Sequence, residues 1–194
     1  METTLKLRNG TEVLIRPQKK RDLDQLVEFF KAMPDKDKRF LRYDVSNRAV
    51  VEQRFRATKT GRVRRLVAVI GDEIAADGVL ELEGHGWKEH VGELRLFVSR
   101  AYRRKGLGML MARELYKLAS VAKVEEVVVK MMRPQIAARK IFRRLGFHEE
   151  VVLPDYVKDR GGKVQDLIVM RCDLASLWQL LEDYFAASDW QRTR

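Results

Sequence analysis

GELRLFVSRAYRRKGLG, Gly92 to Gly108, begins as a strand and ends as a basic turn. Alternation places Glu93, Arg95 and Phe97 on one face of the strand, and Leu94, Leu96 and Val98 on the other. Three cations, Arg103, Arg104 and Lys105, lead into two glycines, Gly106 and Gly108. The amphipathic run LGMLMARELYKLASVA then reads as a helix. Strand, glycine turn and helix together present backbone N–H groups to an anion. Amides at a helix start lack internal partners, and the dipole adds about half a positive charge there. The spacing is neither GxGxxG nor the lysine-serine ending of a P-loop, which disfavours dinucleotide and nucleoside triphosphate folds. On this stretch alone, a basic helix start with no ligand stays open.

Outward from it, the chain divides cleanly. LKLRNGTEVLIRP alternates around Asn9-Gly10, a two-residue hairpin signal. RDLDQLVEFFKAM carries Leu23, Leu26, Val27 and Phe30 at helical spacing, and Pro34 breaks it. DKDKRFLRYD and SNRAVVEQRFRA read as two further short helices, the second capped by Ser46. VRRLVAVIGDEIAADGVLELEG gives two strands turning at Gly71-Asp72, and the loop GHGWKEH enters the strand of Glu93. After the glycine-turn helix come the strand VEEVVVKMM, a helix opened by Pro134 and closed by Gly146, and a hairpin turning at Gly161-Gly162. LASLWQLLEDYFAAS sets Leu174, Leu177, Trp178, Leu181 and Phe185 on one face of a last helix, which packs on the body or on a partner as in a homodimer. The order ββ-ααα-βββ-α-β-α-ββ-α predicts an α/β domain with a mixed, mostly antiparallel sheet. Residues 1–173 form that domain, and 174–194 an appended amphipathic helix and tail.

Composition narrows the class. With 194 residues, 45% hydrophobic and 35% charged, the chain can bury a core and fits one domain. No run reaches membrane-span length, and METTLKLRNG lacks the apolar centre of a signal peptide, so a cytoplasmic protein without membrane contact is expected. One cysteine, Cys172, rules out an internal disulfide and is too little for a zinc site. The net charge of +11 points first to a diffuse basic surface, then to an anionic cofactor, and last to nucleic acid. Its cations are spread through RVRR, YRRKG and RKIFRR and do not gather in a tail.

VSRAYRRKGLGMLM, Val98 to Met111, resembles the cofactor motif of the GNAT superfamily of acyl-CoA N-acyltransferases. RPQIAARKIFRRLGF resembles that family's next block, a helix ending in Gly-Phe, and the resemblance runs in order from Thr11 to Leu174. It implies a GNAT-like sheet flanked by helices and acetyl-CoA as cofactor. The turn amides of Arg103, Arg104, Lys105, Gly106, Leu107 and Gly108 would hold the pyrophosphate, with Met109 just inside the helix. Pantetheine would pair like an added strand beside Leu96, Phe97 and Val98. Gln135 stands where the family often has an asparagine, and its amide would contact the pantetheine. Phe142 stands where many members carry a tyrosine that protonates the departing thiolate, so that acid is absent. A thiol with a pKa of ~8.5 leaves readily enough for water to serve, and Tyr102 or Tyr156 could substitute.

Glu93 has two readings on its residues: an edge carboxylate paired or solvated at the surface, or a base. Amine acylation supplies a reason for the second. A lysine-type amine of pKa ~10.4 is only about one part in 2,500 neutral at pH 7, and deprotonating it costs roughly 4.6 kcal/mol. A carboxylate, directly or through water, accepts that proton. A strand N–H of Phe97 or Val98 would stabilise the tetrahedral oxyanion if the strand bulges there. The chain is similar here to the acetyltransferase domain of bacterial protein lysine acetyltransferases, whose catalytic glutamate follows a glycine five residues before the motif valine. Gly92-Glu93 and Val98 match that pattern. The resemblance implies Glu93 as catalytic base and an amine acceptor, a protein lysine or a small molecule. Two other classes stay open: a silent acyl-CoA sensor, suggested by Phe142, and a basic nucleic-acid-binding module.

His85, Trp87 and His90 read as a surface loop or as a lining of the acceptor site; two histidines five apart make no metal centre. Cys172, Met131 and Met132 read as core.

Overall fold

Short turns set the sheet's connectivity. The computed structural model describes residues 2–82 and 84–187. β1 (Thr3–Lys6) folds back on β2 (Glu12–Pro17) through Asn9-Gly10, and β3 (Val63–Ile70) on β4 (Glu73–Leu82) through Gly71-Asp72. β7 (His148–Lys158) and β8 (Val164–Asp173) form the last hairpin, and β5 (Val91–Val98) and β6 (Glu126–Met132) lie at the centre. The eight strands run β1-β2-β3-β4-β5-β6-β8-β7. Every neighbouring pair is antiparallel except β5–β6, which is parallel because α4 (Leu107–Val121) carries the chain back between them. This is the mixed, mostly antiparallel α/β architecture expected from the sequence.

Alternation along the strands sorts the core into two. Leu66 and Ala68 of β3 face one cluster, and Val67 between them faces the other. The larger cluster is roofed by Leu107, Leu110, Met111 and Leu115 of α4. Leu177 and Leu181 of α6 (Leu174–Ala186) join it, as do the partly buried Ala138 and Phe142 of α5 (Ile136–Arg144). The smaller one is built by Leu26, Val27 and Phe30 of α1 (Leu23–Lys31) and Val51 of α3 (Arg48–Ala57).

The last helix packs on its own chain. Trp178 stacks on Tyr116 of α4 with ring centroids 4.7 Å apart, and the Arg113 guanidinium lies over Phe185. Residues 188–194 of the expected tail lie outside the described residues. Cys172 is buried in β8, and desolvation pushes its thiol up to about 11.

Two local expectations are corrected. The helix begun by DKDKRFLRYD stops after one turn as α2 (Asp35–Lys38). The chain is tied down just beyond it: Arg39 Nε donates to Asp159 at 2.7 Å, and the Arg39 carbonyl accepts from the Arg160 amide. The cap of α3 is Asn47, whose Oδ1 accepts from the Ala49 amide at 2.9 Å, because the Ser46 hydroxyl is turned back onto Asp44.

Candidate active site

β5 has one closed edge and one open edge. It pairs with β4 from Gly92 to Val98 without a register shift, but with β6 only from Val91 to Glu93. No bulge interrupts β5 against β4 at Phe97 or Val98. The Ser99 amide donates to the Ala75 carbonyl, and the Glu126 amide donates to the His90 carbonyl. By strand alternation, the backbone groups of odd-numbered β5 residues therefore point to β4, and those of even-numbered ones point towards β6. The Phe97 amide is thus committed to the sheet. The amides of Leu96 and Val98 face the gap where β6 has diverged, as an extended pantetheine arm requires. The gap comes from divergence of the strands and needs no bulge.

Glu93 sits at the fork. Its Cα pairs with Val128 in the last β5–β6 match, and its side chain is 13% exposed. It is neither free in solvent nor bound to Arg95, which pairs with Glu81. Arg42 Nη2 donates to Glu93 Oε1 at 2.5 Å, and Lys130 Nζ donates to Oε2 at 2.8 Å. Burial opposes its ionised form, but the Lys130 hydrogen bond and the nearby Arg42 charge outweigh it and hold the carboxyl below the usual carboxylate range. A cavity of about 620 Å³ opens over this face, lined by Arg62, Glu81, Lys88, His90, Glu93 and Lys130 among others. His90 thus reaches the site, whereas His85 is exposed on the loop and does not line the cavity.

Beyond β5 the glycine turn takes the shape its residues predict. Arg104 (φ 62°) and Gly106 (φ 90°) adopt left-handed conformations that curl the backbone into a concave nest at the start of α4. The amides of Arg104, Lys105, Gly106, Leu107 and Gly108 meet no acceptor among the described residues, while Met109's already donates to the Gly106 carbonyl. A Cβ at Gly108 would meet only Val98 Cγ2, at 3.9 Å, so the space before the turn is open. A pyrophosphate fits such a cradle. Arg103 does not face it: its guanidinium braces the turn, donating to the Val98 carbonyl at 3.1 Å and to Asp37 at 2.9 Å.

Phe142 is partly buried, edge-on to Phe147, and offers no proton. Gln135 turns its carbonyl oxygen back to the Met132 amide at 2.8 Å and closes the end of β6. Phe97 packs its ring against Phe30 on the α1 face, and Leu96 and Val98 lean on the larger core. Tyr156 is exposed, and Tyr102 sits under Lys105. Sequence reasoning missed Arg42, Lys130 and Asp77. The last is 1% exposed, 3.4 Å from Arg65 and pushed up by desolvation. Lys130 and Asp77 share one local feature with Glu93, a charged residue flanked on both sides by apolar or small ones.

Comparison with known proteins agrees with this geometry. No curated protein matches the chain by sequence. Among solved structures, Mycobacterium smegmatis RimJ in complex with CoA-disulfide has a TM-score of 0.79 at 16% identity, covering 96% of this chain and 93% of that one. The GNAT domain of S. lividans PAT has a TM-score of 0.72 at 18% identity, covering 89% and 96%. The ribosomal-protein-S18-alanine N-acetyltransferase of Escherichia coli has a TM-score of 0.63 at 18% identity, covering 84% and 94%. These likenesses establish the fold. Residues 24–147 match the model of the acetyltransferase (GNAT) family. With the open strand edge and the amide nest inside that span, the chain belongs to this family of acetyl-CoA-dependent N-acetyltransferases.

Proposed function

We propose that the protein moves an acetyl group from acetyl-CoA directly to the primary amine of a protein lysine, with Glu93 as general base. The observation that carries the reading is the Glu93 carboxylate at the fork between β5 and β6, facing the cavity. The nest from Arg104 to Gly108 would hold the pyrophosphate, and the open backbone of Leu96 with the Val98 N–H would align the pantetheine. The Val98 N–H, pointing into the gap, is the donor suited to a developing oxyanion.

Glu93 is ionised at neutral pH and so is ready to accept a proton. Its cationic neighbours also make it a weak base: taking a proton outright from an ammonium of pKa ~10.4 is uphill by more than about 8 kcal/mol. The amine therefore reacts from its small neutral fraction, and Glu93 takes a proton as that nitrogen attacks and its N–H becomes acidic. Phe142 supplies no acid, so water protonates the thiolate.

Trp87, 98% exposed on the loop that contributes Lys88 and His90 to the cavity, suits contact with a macromolecule. A protein acceptor is also consistent with the E. coli neighbour, whose name gives a ribosomal protein as its acceptor. The cavity volume supports a second reading, a small-molecule amine, because it lies within the range of such sites, roughly 300–1,000 Å³.

Calorimetry with acetyl-CoA, followed by thiol release with lysine peptides and small amines, tests both readings. Gly108→Glu should weaken acetyl-CoA binding by about 100-fold through like-charge repulsion. Glu93→Gln should keep that binding and lower turnover about 100-fold. Equal turnover in Glu93→Gln removes the base, and thiol release with small amines alone replaces the protein acceptor.

A further inference from the structure

The contact that restrains Glu93 is also the contact its reaction needs. A base must lie within hydrogen-bonding reach of the amine it deprotonates. Lys130 Nζ is a primary amine 2.8 Å from Glu93 Oε2. Its backbone position follows from the sheet: Val128 pairs with Glu93, and Lys130 is the next β6 residue on that face, just where the strands part. Its side chain is 38% exposed and lines the cavity. Arg42, the other partner of Glu93, cannot play this part, because a guanidinium stays protonated and is not a nucleophile.

We infer that Lys130 is itself an acceptor, acetylated by this same site on its Nζ, an inference that rests on the acetyl-transfer reading above. Lys130 loses its first proton to solvent, and its neutral nitrogen attacks the thioester carbonyl carbon, giving an N–H proton to Glu93 as the C–N bond forms. The C–S bond breaks, and the thiolate takes a proton from water. The products are an acetamide on Lys130, free coenzyme A and one net proton released to solvent.

The modification would change the site that makes it. The amide keeps one N–H for Glu93 but has no charge, leaving Arg42 as the cation bonded to that carboxylate. Arg54 and Arg95 are held by Glu81, opposite Glu93 on β4, and do not replace the lost charge. Self-acetylation would thus release the base from one of its two restraints.

The full chain, incubated with acetyl-CoA, is followed by intact mass and peptide mapping, with calorimetric acetyl-CoA binding measured on the same sample. The expected result is one acetyl group on Lys130, appearing at a fractional rate independent of protein concentration. The rate should fall about 100-fold in Glu93→Gln, and the label should be lost from intact Lys130→Arg. Unmodified Lys130 in a protein that binds acetyl-CoA and turns over another amine overturns this inference and leaves the proposed function standing. Lys130 labelling at equal rates in the native protein, Glu93→Gln and Gly108→Glu marks solution chemistry and overturns it as well. Absence of acetyl-CoA binding overturns the proposed function, and this inference with it.

Discussion

The two edges of β5 are made from the same eight residues yet behave differently. Towards β4 they pair seven times in succession; towards β6 they pair three times and stop. The closed edge is structural, since its amides are all committed. The open edge leaves backbone donors facing a gap, and Glu93, where closure ends, lines the cavity. The proposed active site is a place where sheet formation halts, and its chemistry follows from the groups left exposed there.

Proline substitution puts that contrast to its hardest test. Phe97→Pro removes an N–H directed at β4 in mid-sheet and should cost more than about 3 kcal/mol, read as loss of a cooperative urea transition. Val98→Pro removes an N–H directed into the gap and should keep a cooperative transition while turnover collapses. If both variants unfold alike, the two edges are not distinct.

Next in size is the buried pair behind the closed edge. Asp77, opposite Phe97 on β4, lies 3.4 Å from Arg65, with both side chains almost fully buried. Asp77→Ala leaves the Arg65 charge unpaired and should cost about 3–5 kcal/mol in urea unfolding. Replacing both residues by apolar ones should recover most of it. A double variant as unstable as the single one would mean that the pair is not an isolated unit.

The smallest effect concerns acid, and it contrasts two buried carboxyls. Burial opposes ionisation of Asp22, but bonds from Arg16 at 2.7 and 2.8 Å and from the Lys19 amide at 2.6 Å prevail and hold it below its ordinary 3.8. Its contribution is therefore present above pH 3.8 and lost as pH falls through its folded value. Asp77 is raised instead, so the folded state takes its proton more readily, and acid works in the opposite sense there. Asp22→Asn should flatten the acid limb of stability measured by urea unfolding between pH 5 and 2; an unchanged limb would place acid sensitivity elsewhere.

Fold and site were legible to different depths. Element order could be read because turn and cap chemistry is local: Asn9-Gly10, Gly71-Asp72, Pro134 and Gly146 each mark a boundary within a few residues. The cap of α3 was misread by one position because Ser46 and Asn47 are both competent, and only the Asp44 contact decides between them. The lone acid in an apolar strand exposed Glu93, but its partners lie 51 residues earlier and 37 later, so no local pattern could pair them. Arg42 stands in a segment whose path is set by Arg39 binding Asp159, a contact 120 residues long in sequence.

One buried side chain has a use at the bench. The chain's single cysteine, Cys172, is shielded in β8 with its thiol held up to about 11, so almost none is thiolate at neutral pH. A thiol-trapping dye added to the working enzyme would then colour with coenzyme A alone, and each turnover could be watched continuously against a silent protein background.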